Sequence, residues 1–282
     1  MDKGITFAKD MIINRDEENF SFKGCKFGRD ILVEAGVHFN VIGGEIGDRT
    51  IIRSGARVEG NSVVLGRESY LDHSAVIGGG SCFDAGAFLH AGDWLHMGKN
   101  SEINIARGVT TGDEVGIGIE TKIFTHGAYL PVDFGFPAQW APVKIGSRVW
   151  LPNAWVNPGV GIGDNVVVAA GSVICRDLPA GCFAAGVPAR VIQEKKYPAP
   201  APSWLDDILG QLRIEDVTAV KEMERTMILI SGETYFDIAG RVIEGPVTAA
   251  SERIKNQLRR NGIRFKFAPI GGVYKAWEAA YA

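Results

Sequence analysis

Apolar residues recur along the first two-thirds of the chain with a period of six, which fits neither an α-helix nor a simple alternating strand. Each hexad has an aliphatic or aromatic residue at its first position and a small or β-branched residue at its fifth. The first positions are Phe27, Val33, Ile46, Ile52, Leu65, Leu71, Ile77, Phe83, Ile117, Ile145, Ile162 and Val168. The fifth positions, in the same order, are Ile31, Val37, Thr50, Ala56, Ser69, Ala75, Ser81, Ala87, Thr121, Val149, Val166 and Ser172.

This period predicts a triangular coil in which every six residues form one flat side and one corner, with the first-position side chains stacked inside. Three sides make a coil of about eighteen residues, and roughly eight coils of parallel strands give a prism on the order of 40 Å long. Glycine is frequent, with 36 residues, and often follows the first position, as in Ile46-Gly47. The pattern therefore predicts an all-β domain with many tight corners.

The register breaks in several places. Residues 40–45 and 63–64 add a residue to their coils, and between Leu95 and Gly112 the frame slips, which predicts one irregular coil. From Gly127 to Val143 the register vanishes in a segment with three prolines and several aromatic residues. Such a segment cannot form a side of the prism, so we expect residues 127–143 to leave it as a protruding loop.

The repeat stops after Val191, and a change in composition follows. We expect a β-helix domain over residues 1–196, a Pro/Ala-rich linker over 197–204 and a small α+β domain over 205–282. The expected elements of this last domain are a helix from Ser203 to Leu212, strands at Met227–Ile230 and on either side of a hairpin at Ala239-Gly240, an amphipathic helix ending at Gly262, and a final strand at Ile263–Pro269.

Charge and composition exclude several classes of protein. The net charge of −3 gives no electrostatic footprint for nucleic acid. The charged N-terminus lacks an apolar signal segment, and no long apolar run predicts a membrane span, so we expect a cytoplasmic protein. Cys25, Cys82, Cys175 and Cys182 fit no C-x-x-C spacing and are expected to fill the core rather than to form bridges or bind a metal.

One histidine stands apart from the others. His126 falls at the fourth, outward position of its hexad and borders the predicted loop, so it is accessible to any pocket formed there. A neutral imidazole, with an ordinary pKa of about 6.5, can accept a proton from a hydroxyl or an amine at neutral pH. The remaining histidines also lie at outward positions and are expected to be solvated surface residues: His38, His73, His90 and His96.

The segment from Val143 to Ile192 resembles the hexapeptide-repeat acetyltransferases of the galactoside and maltose acetyltransferase type. The phrases IGSRVW, NPGVGIGDN, AAGSV, RDLPAG and AAGVPARVI occur in the family's order. The resemblance implies a left-handed parallel β-helix, a homotrimer, and acetyl-CoA as a co-substrate without a metal ion. It also implies direct transfer of the acetyl group to a hydroxyl or amine of a small acceptor, such as a sugar or a nucleotide sugar.

In that family the general base is a histidine immediately before an extended loop, which corresponds to His126. The positions matching the CoA-binding residues are Asn153, Ala170, Cys175, Arg176 and Arg190. Trp150 matches an aromatic residue of the acceptor pocket. Asn104 and Glu102, in the irregular coil one turn upstream of His126, are the polar residues that we expect to contact the acceptor.

Two other functions use the same prism. A γ-type carbonic anhydrase would hold zinc with three histidines, and the separation of His90 and His126 suits two of them, although Pro131 stands where a further ligand is needed. A non-catalytic scaffold would use the prism for assembly alone. Detection of bound zinc would favour the first alternative, and absence of CoA binding would favour the second.

Overall fold

The computed structural model describes the backbone of residues 6–7, 24–194, 207, 210, 219–223 and 226–277, and the side chains of these residues except 6–7 and 219–230. The chain divides into two compact units, Met1–Tyr197 and Pro198–Ala282. The expected linker at 197–204 and most of the helix expected between Ser203 and Leu212 lie outside the described residues. No helix in the described part of the chain is both long and apolar enough to cross a membrane.

The first unit is a left-handed parallel β-helix whose short strands stack into three flat faces. The first face consists of Thr6–Phe7, Leu32–Val33, Ile51–Ile52, Tyr70–Leu71, His96–Met97, Gly116–Ile117, Trp150–Leu151, Val167–Val168, Cys182–Gly186 and Ala189–Glu194. The second face consists of Val76–Gly78, Glu102–Asn104, Lys122–Ile123, Trp155–Val156 and Val173–Ile174. The third face consists of Cys25–Phe27, Phe88–Ala91, Val109–Thr111, Val143–Ile145 and Gly161–Ile162.

Two longer strands, His38–Ile46 and Arg57–Leu65, bend from the second face into the third. The pairing shows the bend, because the start of Arg57–Leu65 pairs with Val76–Gly78 and its end pairs with Phe88–Ala91. Within each face neighbouring strands pair in parallel, except that the last two strands of the first face pair antiparallel. This turn back ends the run of parallel pairing on that face.

The interior consists of columns of apolar side chains, one from each coil. On the first face, Ile52, Leu71, Met97, Ile117 and Leu151 pair in succession, and each is fully buried. Burial of one such side chain contributes about 1.5–3 kcal/mol to folding. The six-residue period therefore reports the inward positions, as expected, and the stacking of these positions holds the coils in register.

The glycine that follows many first positions is required by close stacking at the corners. A Cβ atom at Gly66 would lie 2.3 Å from the carbonyl oxygen of Gly92, and one at Gly92 would lie 2.7 Å from the carbonyl carbon of Gly112. These separations are too short for any side chain. The glycine pattern in the sequence thus marks where successive coils touch through their backbones.

The predicted register is wrong at the end of the Ile77 hexad and at the start of the next hexad. Phe83 was expected inside, but its side chain is 44% exposed, and Ser81 adopts a left-handed conformation with φ 62° at the surface. The chain leaves the prism after Gly78 and returns at Phe88, so residues 79–87 form an insertion. Within the insertion only Cys82 and Ala87 are buried. A period of six could not reveal this, because Phe83 and Ala87 happen to fit the apolar and small positions.

The frame slip expected between Leu95 and Gly112 is confined to a short stretch. Met97 and Ile103 continue their columns, pairing with Ile117 and Ile123 on the next coil. The extra residues lie between Asn104 and Gly108, directly after the second face. The coil is therefore regular except at one corner.

The insertions share this corner, which we call the second corner because the chain passes there from the second face to the third. It contains residues 79–87, 105–108, 125–142, 157–160 and 175–177 in successive coils. The corner between the first and second faces, which we call the first corner, includes residues 152–154 and 169–172. Insertions at a single corner lengthen the coil without moving the inward side chains of the faces.

The described residues of the second unit form a six-stranded antiparallel sheet and a helix. The strands are Ala219–Met223, Thr226–Ser231, Thr234–Asp237, Val242–Pro246, Phe267–Ile270 and Val273–Ala276, and the helix is Ala249–Arg260. Thr248 caps the helix by accepting a hydrogen bond from the Ser251 amide at 3.0 Å. Ile254 and Leu258 of the helix are fully buried in the same apolar cluster as Phe236.

The strands expected around the Ala239-Gly240 hairpin and at Met227–Ile230 are present. The strand expected at Ile263–Pro269 begins only at Phe267, and it is not the final one. A further strand, Val273–Ala276, follows a turn at Gly271-Gly272 and pairs back onto it. The glycine pair marks this hairpin, which was not predicted from the sequence.

Candidate active site

His126 lies at the second corner, at the base of the loop that follows the second face. The strand His126–Gly127 pairs antiparallel with Gln139–Trp140, so the two ends of the loop are held together. Beyond this pair the loop contains a short 3-10 turn, Val132–Phe134, and its side chains are largely exposed. The histidine therefore lies at the base of an extended loop, where strand pairing joins the two ends of the loop.

The His126 ring has a defined hydrogen-bond partner on the preceding coil. Its Nδ1 atom lies 3.0 Å from Oδ1 of Asn104, a side chain that is 4% exposed. The same Oδ1 accepts hydrogen bonds from the Thr125 hydroxyl at 2.6 Å and from the Ala106 amide at 3.2 Å. Because a backbone amide can only donate, the Asn104 atom at this position is the oxygen.

This network determines which histidine nitrogen carries the proton. An amide oxygen accepts hydrogen bonds and cannot donate, so Nδ1 of His126 donates to Asn104. In the neutral ring Nε2 then bears the free lone pair, which is the arrangement that a general base requires. Asn104 was expected to contact the acceptor, and the structure places its side-chain oxygen against His126.

An aromatic side chain from the far end of the loop covers the His126 ring. Trp140 stacks on it with ring centroids 4.5 Å apart and an angle of 12° between the planes. The guanidinium carbon of Arg107 lies 4.9 Å from the centroid of the Trp140 ring. Trp140 thus fixes the plane of the imidazole, as the Asn104 contact fixes its rotation. From the sequence, Trp140 was expected only as one of the aromatic residues of the loop that could line a pocket, and neither its stacking on His126 nor the presence of Arg107 was predicted.

The insertion at residues 79–87 reaches the other edge of the imidazole. A Cβ atom at Gly80 would lie 3.8 Å from Cε1 and 3.9 Å from Nε2 of His126. Asp84 of the same insertion forms an ion pair with Arg107, with 3.7 Å between Oδ2 and Nη1. The run Gly78-Gly79-Gly80 was the available sequence signal, since consecutive glycines mark a turn.

The other two residues expected near the acceptor lie on the faces. Glu102 accepts a hydrogen bond from Lys122 Nζ at 3.1 Å on the second face. Trp150 lies on the first face, 43% exposed, with its ring over Gly116. Within one chain, the structure does not bring Trp150 to the corner that holds His126.

The residues expected to bind CoA divide between two corners. Asn153 lies at the first corner, where its carbonyl accepts a hydrogen bond from Gly171, and Ala170 is adjacent. Cys175 and Arg176 lie at the second corner, and the Cys175 sulfur is 3.4 Å from Nδ2 of Asn157. The fifth residue of the set lies on the last strand of the first face: Arg190, which is exposed.

No group of three or more His, Cys, Asp or Glu side chains within the described residues could hold a metal ion. His90, which the carbonic anhydrase alternative would use, lies against Phe88 with ring centroids 4.5 Å apart and ring planes tilted by 35°. The three-histidine site that this alternative requires is therefore not found in the described part of the chain.

No protein-family model matches the chain. It is 33% identical over 143 residues to the galactoside O-acetyltransferase of Escherichia coli K12, covering 47% of this chain and 70% of that protein. It is 31% identical over 131 residues to a putative lipopolysaccharide biosynthesis O-acetyl transferase of the same strain, covering 41% and 61%. A solved galactoside acetyltransferase in complex with coenzyme A is 30% identical, with a TM-score of 0.41, covering 47% of this chain and 64% of that structure. The chain is thus an acyltransferase. It belongs to the hexapeptide-repeat acetyltransferase family.

Proposed function

We propose that the chain transfers an acetyl group from acetyl-CoA to a hydroxyl or amine of a small acceptor, a sugar or a nucleotide sugar. The observation that carries this proposal is the fixed orientation of His126. Its Nδ1 atom donates to Asn104, and its Nε2 lone pair is directed away from that contact. Two relatives are named as O-acetyl transferases, and one of them is named for a galactoside acceptor, which supports a carbohydrate here.

The mechanism follows from the chemistry of an imidazole base. Acetyl-CoA, as the donor substrate, supplies a thioester carbonyl. His126 Nε2 accepts the proton of the acceptor hydroxyl or amine as that atom bonds to the carbonyl carbon. The carbon–sulfur bond then breaks, and Nε2 returns the proton to the departing thiolate. The transfer is direct and forms no covalent bond to the enzyme.

Two features support assembly as a homotrimer. The positions expected along CoA divide between the first corner, with Asn153 and Ala170, and the second corner, with Cys175 and Arg176. These two sets can border one donor molecule when the first corner of one prism faces the second corner of its neighbour. Trp150 and Trp155 are also exposed on two faces, and large exposed apolar side chains are typical of contact surfaces. Acetyl-CoA is a cytoplasmic metabolite, which supports the expected cytoplasmic location.

A CoA-release assay across a panel of sugars and nucleotide sugars tests the proposal. With an accepted substrate, His126→Ala should lower turnover by about 10² to 10⁴, the usual contribution of a general base, while calorimetry shows unchanged CoA binding. His90→Ala is the matched control, because it removes an exposed histidine on the third face. Full activity in His126→Ala would refute the role of the base. Absence of CoA binding by the unmodified chain would favour the scaffold alternative.

A further inference from the structure

We infer that the insertion at residues 79–87 forms the acceptor side of the His126 site, and that Gly80 limits the size of the acceptor that reaches Nε2. This inference rests on the proposed acetyl transfer. It concerns a segment that is not part of the six-residue repeat. This segment lies at the second corner, two coils before the loop at residues 127–143.

The insertion is anchored on both sides of Gly80. The amide of Cys82 donates to the carbonyl of Gly79 at 3.3 Å, and the carbonyl of Cys82 accepts from the Asn61 amide at 2.8 Å. Cys82 is 4% exposed and belongs to the apolar interior of the prism. Its burial attaches the insertion to the core, so that the position of Gly80 is set by the fold.

A second attachment joins the insertion to Arg107 and, through it, to Trp140, which covers the His126 ring. The Asp84 carboxylate pairs with Arg107, whose guanidinium lies over the Trp140 ring. Trp140 in turn stacks on His126. The insertion and the loop at residues 127–143 therefore both border the imidazole, and Arg107 connects them within a single chain.

Gly80 contributes open space to this site. Its φ is outside the left-handed region, so a residue with a side chain can adopt its backbone conformation. Within the described residues, the only atoms near a Cβ at this position, apart from its chain neighbours, would be Cε1 and Nε2 of His126. Those distances, 3.8 and 3.9 Å, are ordinary van der Waals contacts. A longer side chain would therefore fill the space beside Nε2 without displacing the backbone.

The acceptor must use the same space. Proton transfer to Nε2 requires the acceptor oxygen or nitrogen at about 2.6–3.2 Å from it. A side chain that extends from residue 80 would compete with the acceptor for this edge of the ring. The surrounding groups, the Asp84–Arg107 ion pair and the half-exposed Trp140 ring, suit a polyhydroxylated ring, which can both hydrogen-bond and stack.

The experiment compares Gly80→Ala, Gly80→Val and Gly80→Leu with the control variants Gly86→Val and Gly86→Leu. Gly86 belongs to the same insertion, its φ is also outside the left-handed region, and a Cβ there meets nothing within 4 Å. We expect kcat/KM for the acceptor to fall with side-chain size, by on the order of 10- to 100-fold for Val, with bulky acceptors affected most. The Kd for CoA and the activity of the Gly86 variants should be unchanged.

A second measurement does not depend on turnover. Diethyl pyrocarbonate acylates an unprotonated imidazole nitrogen, and mass spectrometry of the His126 peptide reports the rate. Modification of His126 should be slower in Gly80→Leu than in Gly86→Leu. Equal rates, together with wild-type kcat/KM in Gly80→Val, would overturn the inference, and so would a loss of CoA binding equal to the loss of acceptor turnover. By contrast, a wild-type chain that releases no CoA with any acceptor would refute the proposed function itself.

Discussion

The side-chain oxygen of Asn104 lies 3.0 Å from Nδ1 of His126 and accepts two further hydrogen bonds, from the Thr125 hydroxyl and the Ala106 amide. Three donors thus converge on one buried oxygen. Rotation of the amide would place its NH₂ group against a backbone N–H, which would leave a buried donor without an acceptor. The orientation of Asn104, and through it the tautomer of the neutral His126 ring, is therefore fixed by the backbone at the second corner.

The first prediction concerns the charge at this position. Asn104→Asp keeps an oxygen acceptor but places a carboxylate beside the ring, and a carboxylate stabilises the protonated imidazole. A protonated ring cannot act as a base. At acidic pH the variant should therefore need a higher pH than the wild-type chain to reach the same fraction of its maximal activity. We expect the acid limb of the kcat/KM profile to move to higher pH, measured by CoA release.

Asn104→Leu provides the complementary test. It removes the acceptor for Nδ1, so the ring loses its preferred tautomer and rotation. We expect kcat to fall at least tenfold, but by no more than the roughly 10² to 10⁴ that a general base contributes. CoA binding by calorimetry should be retained. A wild-type rate and pH profile in both Asn104 variants would show that Asn104 does not position His126.

The second prediction concerns the stacking of Trp140 on His126. Trp140→Ala removes an aromatic pair, which is worth about 0.5–1.5 kcal/mol, so kcat/KM should fall by roughly 2- to 10-fold. Trp140→Phe keeps a ring over the imidazole and should restore most of the activity. Tyr129→Ala is the control, because Tyr129 lies in the same loop and is 96% exposed. Equal activity in Trp140→Ala and Tyr129→Ala would contradict the prediction.

The third prediction uses the difference between the cysteines. Cys175 is exposed, whereas Cys25, Cys82 and Cys182 are buried. Burial raises the pKa of the Cys25 thiol to about 11, and it also raises the pKa of the other two buried thiols. The thiolate is the reactive form, so a maleimide at neutral pH should label Cys175 on the order of 10² faster than these three.

Peptide mass spectrometry after short labelling measures this selectivity. Saturating CoA should slow the labelling of Cys175 if CoA lies along the second corner, as proposed. Cys175→Ser should bind CoA like the wild-type chain, because the expected contact there is through the backbone. Rapid labelling of Cys175 in the presence of saturating CoA would place the donor elsewhere on the prism.

The fourth prediction tests the corrected register. Ile77 is fully buried in the second-face column, so Ile77→Ala should destabilise the prism by about 2–5 kcal/mol. Phe83 is half-exposed in the insertion, so Phe83→Ser should change the stability by less than about 1 kcal/mol. Differential scanning calorimetry of the two variants measures both effects. A larger loss from Phe83→Ser than from Ile77→Ala would restore the original register.

The sequence predicts the prism well because its rule is local and repetitive. An inward position such as Ile52 or Leu71 is recognisable from its own hexad and from the next coil. The insertion at residues 79–87 breaks that rule: Phe83 follows Ile77 by one period, and nothing in the apolar pattern shows that the chain has left the prism. Only the burial in the folded chain shows that Cys82 turns inward in place of Phe83.

The site is partly predictable for a related reason. His126 stands out because it precedes the longest break in the pattern, and Asn104 because it lies in an irregular coil. The sequence could not reveal that Trp140 and Gly80 lie against His126, or that Arg107 lies over Trp140. Each of these contacts depends on how an irregular segment folds back onto the prism. Such segments have no period from which their course can be calculated.

The concentration of insertions at the second corner separates two tasks within the fold. The columns through Ile77, Ile103 and Ile123 remain paired from coil to coil although the segments after them differ in length. Thermodynamic stability therefore depends on the faces, whereas recognition of the acceptor, under the proposed function, depends on the corner. Loops from other prisms could be grafted at this corner to change the compounds recognised, while the interior that drives folding is left intact.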